Sequence, residues 1–179
     1  MQRILDAAAR VLAHNRGAGM AEVAAAAGVA RATLYRHFPS RDELVATIRT
    51  QAYDDFEAAI ANARLQEGTA LEAVRRLIEG IIEVGDHYLF LLGETPGETK
   101  GDPTTKRIER MRKPVLVLVE RGQGSGEFSS ELPAKWATRM LAGLIGEALR
   151  SIAQGEMKLG EAEETVYRTF LSGFSPGSG

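Results

Sequence analysis

The chain has no cysteine, only six prolines in 179 residues, and few aromatic residues. Without cysteine there is no disulfide framework, no thiolate metal site and no cysteine nucleophile. A reducing cytoplasm suits such a composition. Scarce proline beside abundant alanine and leucine favours helices over a sandwich or barrel, so the expected fold is all-α. Long apolar runs are also missing. The longest, 88–92 and 115–119, fall far short of the roughly 20 residues a spanning helix needs, and no membrane partner is expected. The opening Met1-Gln2-Arg3-Ile4-Leu5 lacks the basic, apolar and small-residue order of a secretion signal. His14, His37 and His87 are too scattered for a metal triad or a Ser-His-acid site, so no metal, cofactor or catalytic residue is expected. Ser125 sits in a glycine-rich run without the flanks of a nucleophile elbow. That run, Gly122 to Gly126, also lacks the Lys-Ser/Thr of a phosphate loop and reads as a connector.

Net positive charge is absent overall, since the chain carries −2, but the charge is unevenly spread. Residues 1–50 hold seven arginines against four acids, a local +3, and the remainder holds −5. A basic head on an acidic body is the asymmetry expected when one end approaches phosphate.

Hydrophobic spacing divides the chain into about nine helices. The first, from Gln2 to about Asn15, carries Ile4, Leu5, Ala8, Val11 and Leu12 on one stripe. Two short helices, Met20 to Ala27 and about Ala30 to His37, flank Gly28-Val29. Ser40-Arg41-Asp42-Glu43 is a capping box that opens a long fourth helix running to about Ala63. Thr69-Ala70-Leu71-Glu72 opens a fifth in the same way, and Asp86 reads as the N-cap of a short sixth, His87 to Leu92. Gly93 to Pro103 reads as a loop. Thr104 to Arg121 is helical in pattern, with Pro114 either kinking it or dividing it in two. Pro133 starts an eighth helix to Gln154, and a ninth runs to about Phe174. The expected domains are a DNA-binding head at 1–45, a ligand-binding and dimerisation body at 46–174, and a disordered tail at 175–179.

Two short helices around a glycine turn satisfy the packing needs of a helix-turn-helix: Ala24 permits a close crossing, Gly28 supplies a positive φ, and Leu34 plugs the core beneath the second helix. An ordinary pair of core helices would share that spacing. The segment that follows is more specific. Gly28-Val29-Ala30-Arg31-Ala32-Thr33-Leu34-Tyr35-Arg36-His37-Phe38-Pro39-Ser40-Arg41 closely resembles the recognition segment of the tetracycline-repressor (TetR) family of transcriptional regulators. The resemblance is strong over residues 3–48 and extends more weakly to Arg121-Gly122-Gln123 and Gly126-Glu127-Phe128. It implies an all-helical homodimer that represses a promoter and is released by a small molecule bound in each body. It also implies that Thr33, Tyr35 and His37 contact the DNA backbone and that Arg41 meets a flanking phosphate. Arg31, Ala32 and Arg36 occupy the variable face. Arg31 and Arg36 suit guanine edges and Ala32 a thymine methyl, while Arg36 suits a phosphate or solvent equally. Where the family usually has threonine at the start of helix two, this chain has Gly19, which loses a cap and a phosphate contact. The basic arm many members carry before helix one is nearly absent, as expected for weaker binding or for a start upstream of Met1.

In the body, Tyr88, Phe90, Met111, Trp136, Met140 and Glu147 are candidate pocket residues for a mostly apolar effector, although such a stripe is also what plain core looks like. Leu141, Gly143, Leu144, Gly146, Ala148 and Phe170 are the candidate dimer interface, with burial inside one subunit as the competing reading. The expected partners are therefore an operator in duplex DNA, a second copy of the chain and the effector. The rival function is an architectural DNA-binding protein that takes no effector.

Overall fold

The computed structural model describes residues 1–93 and 103–174, without the side chains of Asp86, Tyr88, Leu92, Pro103 and Thr104. The expected loop and tail fall mostly outside the described residues. Among the described residues the fold is all-helical: α1 Gln2–His14, α2 Met20–Ala27, α3 Arg31–His37, α4 Arg41–Asn62, α5 Ala70–Glu83, α6 Gly85–Gly93, α7 Pro103–Gly124, α8 Ala134–Ala153 and α9 Leu159–Phe174. None of these helices is long and apolar enough to cross a membrane.

The chain forms two compact units, and the division falls within α4. The first unit joins Met1–Phe56 to α6, and the second takes the chain from Glu57 to Glu83 together with the described residues after α6. Expectation put the boundary at 45/46, which assigns the next two to three turns of α4 to the body. In the structure Ile48, Ala52 and, from α6, Phe90 are buried in one cluster with α1, α2 and α3.

The first unit is built on that cluster. Ile4, Leu5, Ala8, Ala9 and Leu12 of α1 pack with Val23, Ala24, Leu34, Phe38 and Leu44. The alanines matter because Ala8, Ala9 and Ala24 bury almost completely, so the backbones of neighbouring helices approach closely. In the second unit α5 packs against α7, α8 and α9, and α8 packs against α7 and α9. Its core holds Val74, Leu77, Ile78, Leu118, Leu141, Ile145 and Val166, with Phe170 edge-on to Phe128 and stacked on Phe174.

Helix ends are finished by named side chains. Both halves of the Thr69 box form: the Glu72 N–H donates to Thr69 Oγ1 at 3.1 Å and the Thr69 N–H to Glu72 Oε2 at 2.9 Å. At the end of α4, Arg76 donates to the carbonyls of Ala63, Arg64 and Glu67 at 2.8, 3.0 and 2.7 Å. Those carbonyls lie at and just past the negative end of the helix, where a guanidinium is favoured.

Pro114 does not divide α7, and the helix runs through it to Gly124 rather than stopping at Arg121. The extra turn is closed by the Glu127 and Phe128 N–H groups, which donate to the Gly122 carbonyl at 2.9 and 3.0 Å. Gln123 donates to the carbonyls of Ser129 and Leu132, each at 2.8 Å. Glu127 accepts from the Leu71 N–H at the start of α5 at 3.1 Å and from the Ser125 hydroxyl at 2.8 Å. Burial pushes the Glu127 carboxyl up, but bonds from Ser125, Leu71 and Ala70 with the charge of Arg121 hold it below its ordinary range. Glu127 thus ties the turn after α7 to the start of α5.

Two stability predictions follow from this packing. A Cβ at Gly122 would lie 2.2 Å from the Phe128 ring and 3.0 Å from Ala70 Cβ. Gly122→Ala is therefore expected to cost about 1–3 kcal/mol, read as a lower urea midpoint with unchanged slope. Burial, then the charges of Glu79 and Glu83, raise the Glu163 carboxyl above its ordinary value. The folded chain then holds that proton more tightly than the unfolded chain, so ionisation costs stability at neutral pH and the cost fades as pH falls into the raised range. Glu163→Gln is expected to gain about 0.5 kcal/mol at neutral pH and to lose that advantage in acid, and urea unfolding at the two pH values checks it.

Candidate DNA-binding interface

Helix α2 ends in a tight turn. Gly28 has φ 65° and ψ 34°, a left-handed conformation that a Cβ disfavours. The Gly28 and Val29 N–H groups return to the carbonyls of Ala25 and Ala24 at 3.1 and 3.0 Å, which closes α2 and redirects the chain. Helix α3 starts two residues later and has no side-chain cap at its start. Leu34 is its one fully buried side chain, and the following Phe38 is buried beside it in the head cluster.

With Leu34 turned inward, the rest of α3 faces out. Arg31, Ala32, Tyr35, Arg36 and His37 are exposed and Thr33 is half-buried. Tyr35 shows 44% of its surface. The six α3 positions expected to meet DNA thus lie on one short helix, carrying two guanidiniums, two hydroxyls and an imidazole.

Arg41 departs from expectation. Its Nε–H donates to the Ala18 carbonyl at 3.0 Å, and its Nη2 donates to the Arg16 carbonyl. Both acceptors lie in the loop after α1, where helix-end carbonyls lack partners. The side chain that the resemblance assigned to a phosphate braces the loop that launches α2. At Gly19 the side-chain cap is absent, as expected. The Glu22 carboxylate reaches back to the Gly19 N–H at 2.9 Å, so the half of the capping box that needs no side chain at Gly19 is kept.

The candidate body residues divide differently from expectation. Leu141, Gly146, Ala148 and Phe170, proposed for the dimer interface, are already buried within one chain; Leu141 and Phe170 are 1% and 0% exposed. Gly143 is exposed and Leu144 half-buried. The proposed pocket stripe faces outward: Trp136 is 51% and Met140 38% exposed, and exposed Glu147 pairs with Arg150 at 2.8 Å. Phe90 belongs to the core of the head unit, and the Tyr88 side chain lies outside the described residues. The physical reason is that the apolar arc of α8 is wider than α7 and α9 can cover. Spacing revealed its width but not which half the same chain covers.

Met111 lines a cavity. It is a groove of about 540 Å³ between α4, the turn after it and α7, with Ile60, Leu65, Met111 and Pro114 as apolar lining and Glu57, Arg64 and Glu67 among its charged groups. Arg107 clasps Glu57 with two bonds of 3.2 Å, and Arg110 approaches it at 3.5 Å. The α4 contribution was missed, although Glu57, Ile60 and Ala61 follow the i, i+3, i+4 spacing of one helix face.

Residues 4–48 match the family model described as bacterial regulatory proteins, tetR family. The chain is 32% identical over 152 residues, 85% of its length, to the HTH-type transcriptional repressor LfrR of Mycolicibacterium smegmatis, and covers 78% of that protein. It is 25% identical to the HTH-type transcriptional regulator NfxB of Pseudomonas aeruginosa, over 97% of this chain and 94% of that one. The crystal structure of LfrR in complex with proflavine superposes with a TM-score of 0.75 at 28% identity, covering 96% of this chain and 94% of that one. A helix-turn-helix head that presents basic and hydroxyl side chains, with relatives that are transcriptional regulators rather than enzymes, leaves one conclusion: the chain belongs to the TetR family of transcriptional regulators.

Proposed function

We propose that this regulator is a cytoplasmic repressor that binds an inverted-repeat operator as a homodimer and is released by a small, mostly apolar effector. The observation that carries the DNA reading is α3 itself, a helix with one buried side chain, five exposed positions and a half-buried Thr33. Arg31 and Arg36 read base edges, Ala32 meets a thymine methyl, and Thr33, Tyr35 and His37 hold phosphates. Arg41 acts one step back by fixing the loop before α2.

The exposed strip of α8, with Trp136, Met140, Gly143 and Leu144, supports the dimer. An unpartnered apolar strip on a helix is costly in water, and Gly143 leaves room for a second helix to approach. A two-fold pair places half-site centres about 34–36 Å apart. The groove beside Met111 supports the effector, since its volume falls in the range of small-molecule sites. LfrR takes proflavine, a small molecule, in its solved complex. An effector must prefer the non-binding state, and a hundredfold release needs about 2.7 kcal/mol of that preference.

Selecting genomic fragments with the purified protein tests the DNA reading, with an inverted repeat as the expected result. On the selected site, Arg31→Ala is expected to cost about 1–3 kcal/mol and to relax one position per half-site, whereas Tyr35→Phe weakens all sequences alike. A folded Thr33→Ala, Tyr35→Ala double variant that binds undiminished sinks the assignment. If no compound in an apolar and aromatic library releases the DNA, the architectural reading gains instead.

Burial separates two variants of the dimer face. Leu144→Arg is expected to leave a folded monomer whose operator affinity falls roughly a hundredfold, because two linked half-site contacts become one. Phe170→Arg places a charge in the core of one chain and is expected to unfold it. Sedimentation with circular dichroism distinguishes these outcomes, and a compact wild-type monomer at micromolar concentration rejects the dimer.

A further inference from the structure

His87 sits on α6 with its side chain 12% exposed, between carboxylates from two other helices of the head unit. Its Nδ1 lies 2.5 Å from Asp55 Oδ2 on α4, and its Nε2 lies 3.6 Å from Asp6 Oδ1 on α1. Each carboxylate is also gripped by a glutamine one turn earlier on its own helix: Gln51 Nε2 donates to Asp55 Oδ1 and Gln2 Nε2 to Asp6 Oδ1, both at 2.8 Å. These two i, i+4 bonds hold one oxygen of each aspartate. Phe90 and Leu91, the next turn of α6, pack into the same cluster as α1 and α4.

The arrangement has a definite proton requirement. An ionised carboxylate only accepts, so both ring nitrogens need a proton to face the two aspartates favourably. A neutral ring has one N–H. It keeps the short bond to Asp55 and turns the lone pair of Nε2 towards Asp6, where an attraction becomes a repulsion. In sequence, Arg10 follows Asp6 by one turn of α1 and Asp86 precedes His87.

We propose that His87 is a positioning residue that fastens α6 to both α1 and α4 when protonated and to α4 alone when neutral. Helix α6 follows α5 after the single residue Val84, so the state of this fastener sets how firmly the head holds the segment through which α5 is joined to it. The proposal goes beyond the repressor reading and needs neither operator nor effector for its test.

The test is amide hydrogen exchange on the full chain, corrected for the intrinsic effect of pH, at about pH 5.5 and about pH 7.5. Opening of residues 85–93 in the wild type is expected to be roughly tenfold rarer at the lower pH, with α8 and α9 unchanged. Asp6→Asn, at a half-exposed position, keeps the fold and is expected to remove most of that pH dependence. His87→Gln is expected to abolish it, and a urea midpoint for each variant shows whether it is folded. Should His87→Gln fail to fold, Asp6→Asn carries the test alone. The proposal is overturned if wild-type protection of 85–93 does not change with pH, if Asp6→Asn keeps the full wild-type response, or if all helices shift together.

Discussion

Helix α3 is seven residues long, too short to persist in water by its own hydrogen bonds. It lacks a side-chain cap and offers the core little except Leu34, which buries completely with Phe38 just beyond the helix end. Whatever α3 does depends on this anchor. Because one side chain and the next residue beyond the helix supply the burial, the remaining positions need not contribute to packing. That freedom lets Arg31, Ala32, Tyr35, Arg36 and His37 all face outward together.

The anchor works because the turn before it and the loop before α2 are held as well. Gly28 takes the left-handed conformation that closes α2. Arg41 bonds the Arg16 and Ala18 carbonyls, and Glu22 keeps half a cap at Gly19. The same solution recurs in the second unit, where Arg76 collects three carbonyls after α4 and Glu127 accepts at the start of α5. Helix ends carry partial charges that water would otherwise satisfy. In both units a long charged side chain from elsewhere in the unit does so instead.

Helix α8 shows where local pattern stops being informative. Its apolar residues surround more than half of the helix, so spacing alone leaves two ways to divide them. In the folded chain, Leu141, Ile145, Ala148 and Leu149 are taken by neighbouring helices, while Trp136, Met140 and Gly143 stay outside. Of the α8 residues inferred from sequence, Trp136, Met140 and Glu147 thus face outward and Leu141, Gly146 and Ala148 inward, while Gly143 is exposed and Leu144 half-buried. The glycine-rich segment after α7 is similar. It read as a connector, yet a Cβ at Gly122 would meet the Phe128 ring, so the glycine lets that ring lie against α7.

The sequence by itself determined the helices, the Thr69 box, the glycine turn, the inward Leu34 and the outward face of α3, because each is fixed within one or two turns of chain. It also carried the family resemblance, which rests on the same short segment. Tertiary structure decided that Arg41 braces a loop, that Phe90 joins the head, that Glu57 and Met111 border a groove, and that His87 meets Asp6 and Asp55. Those assignments depend on which helices become neighbours. A charged or amphipathic side chain carries no record of its partner until residues dozens of positions away have packed beside it.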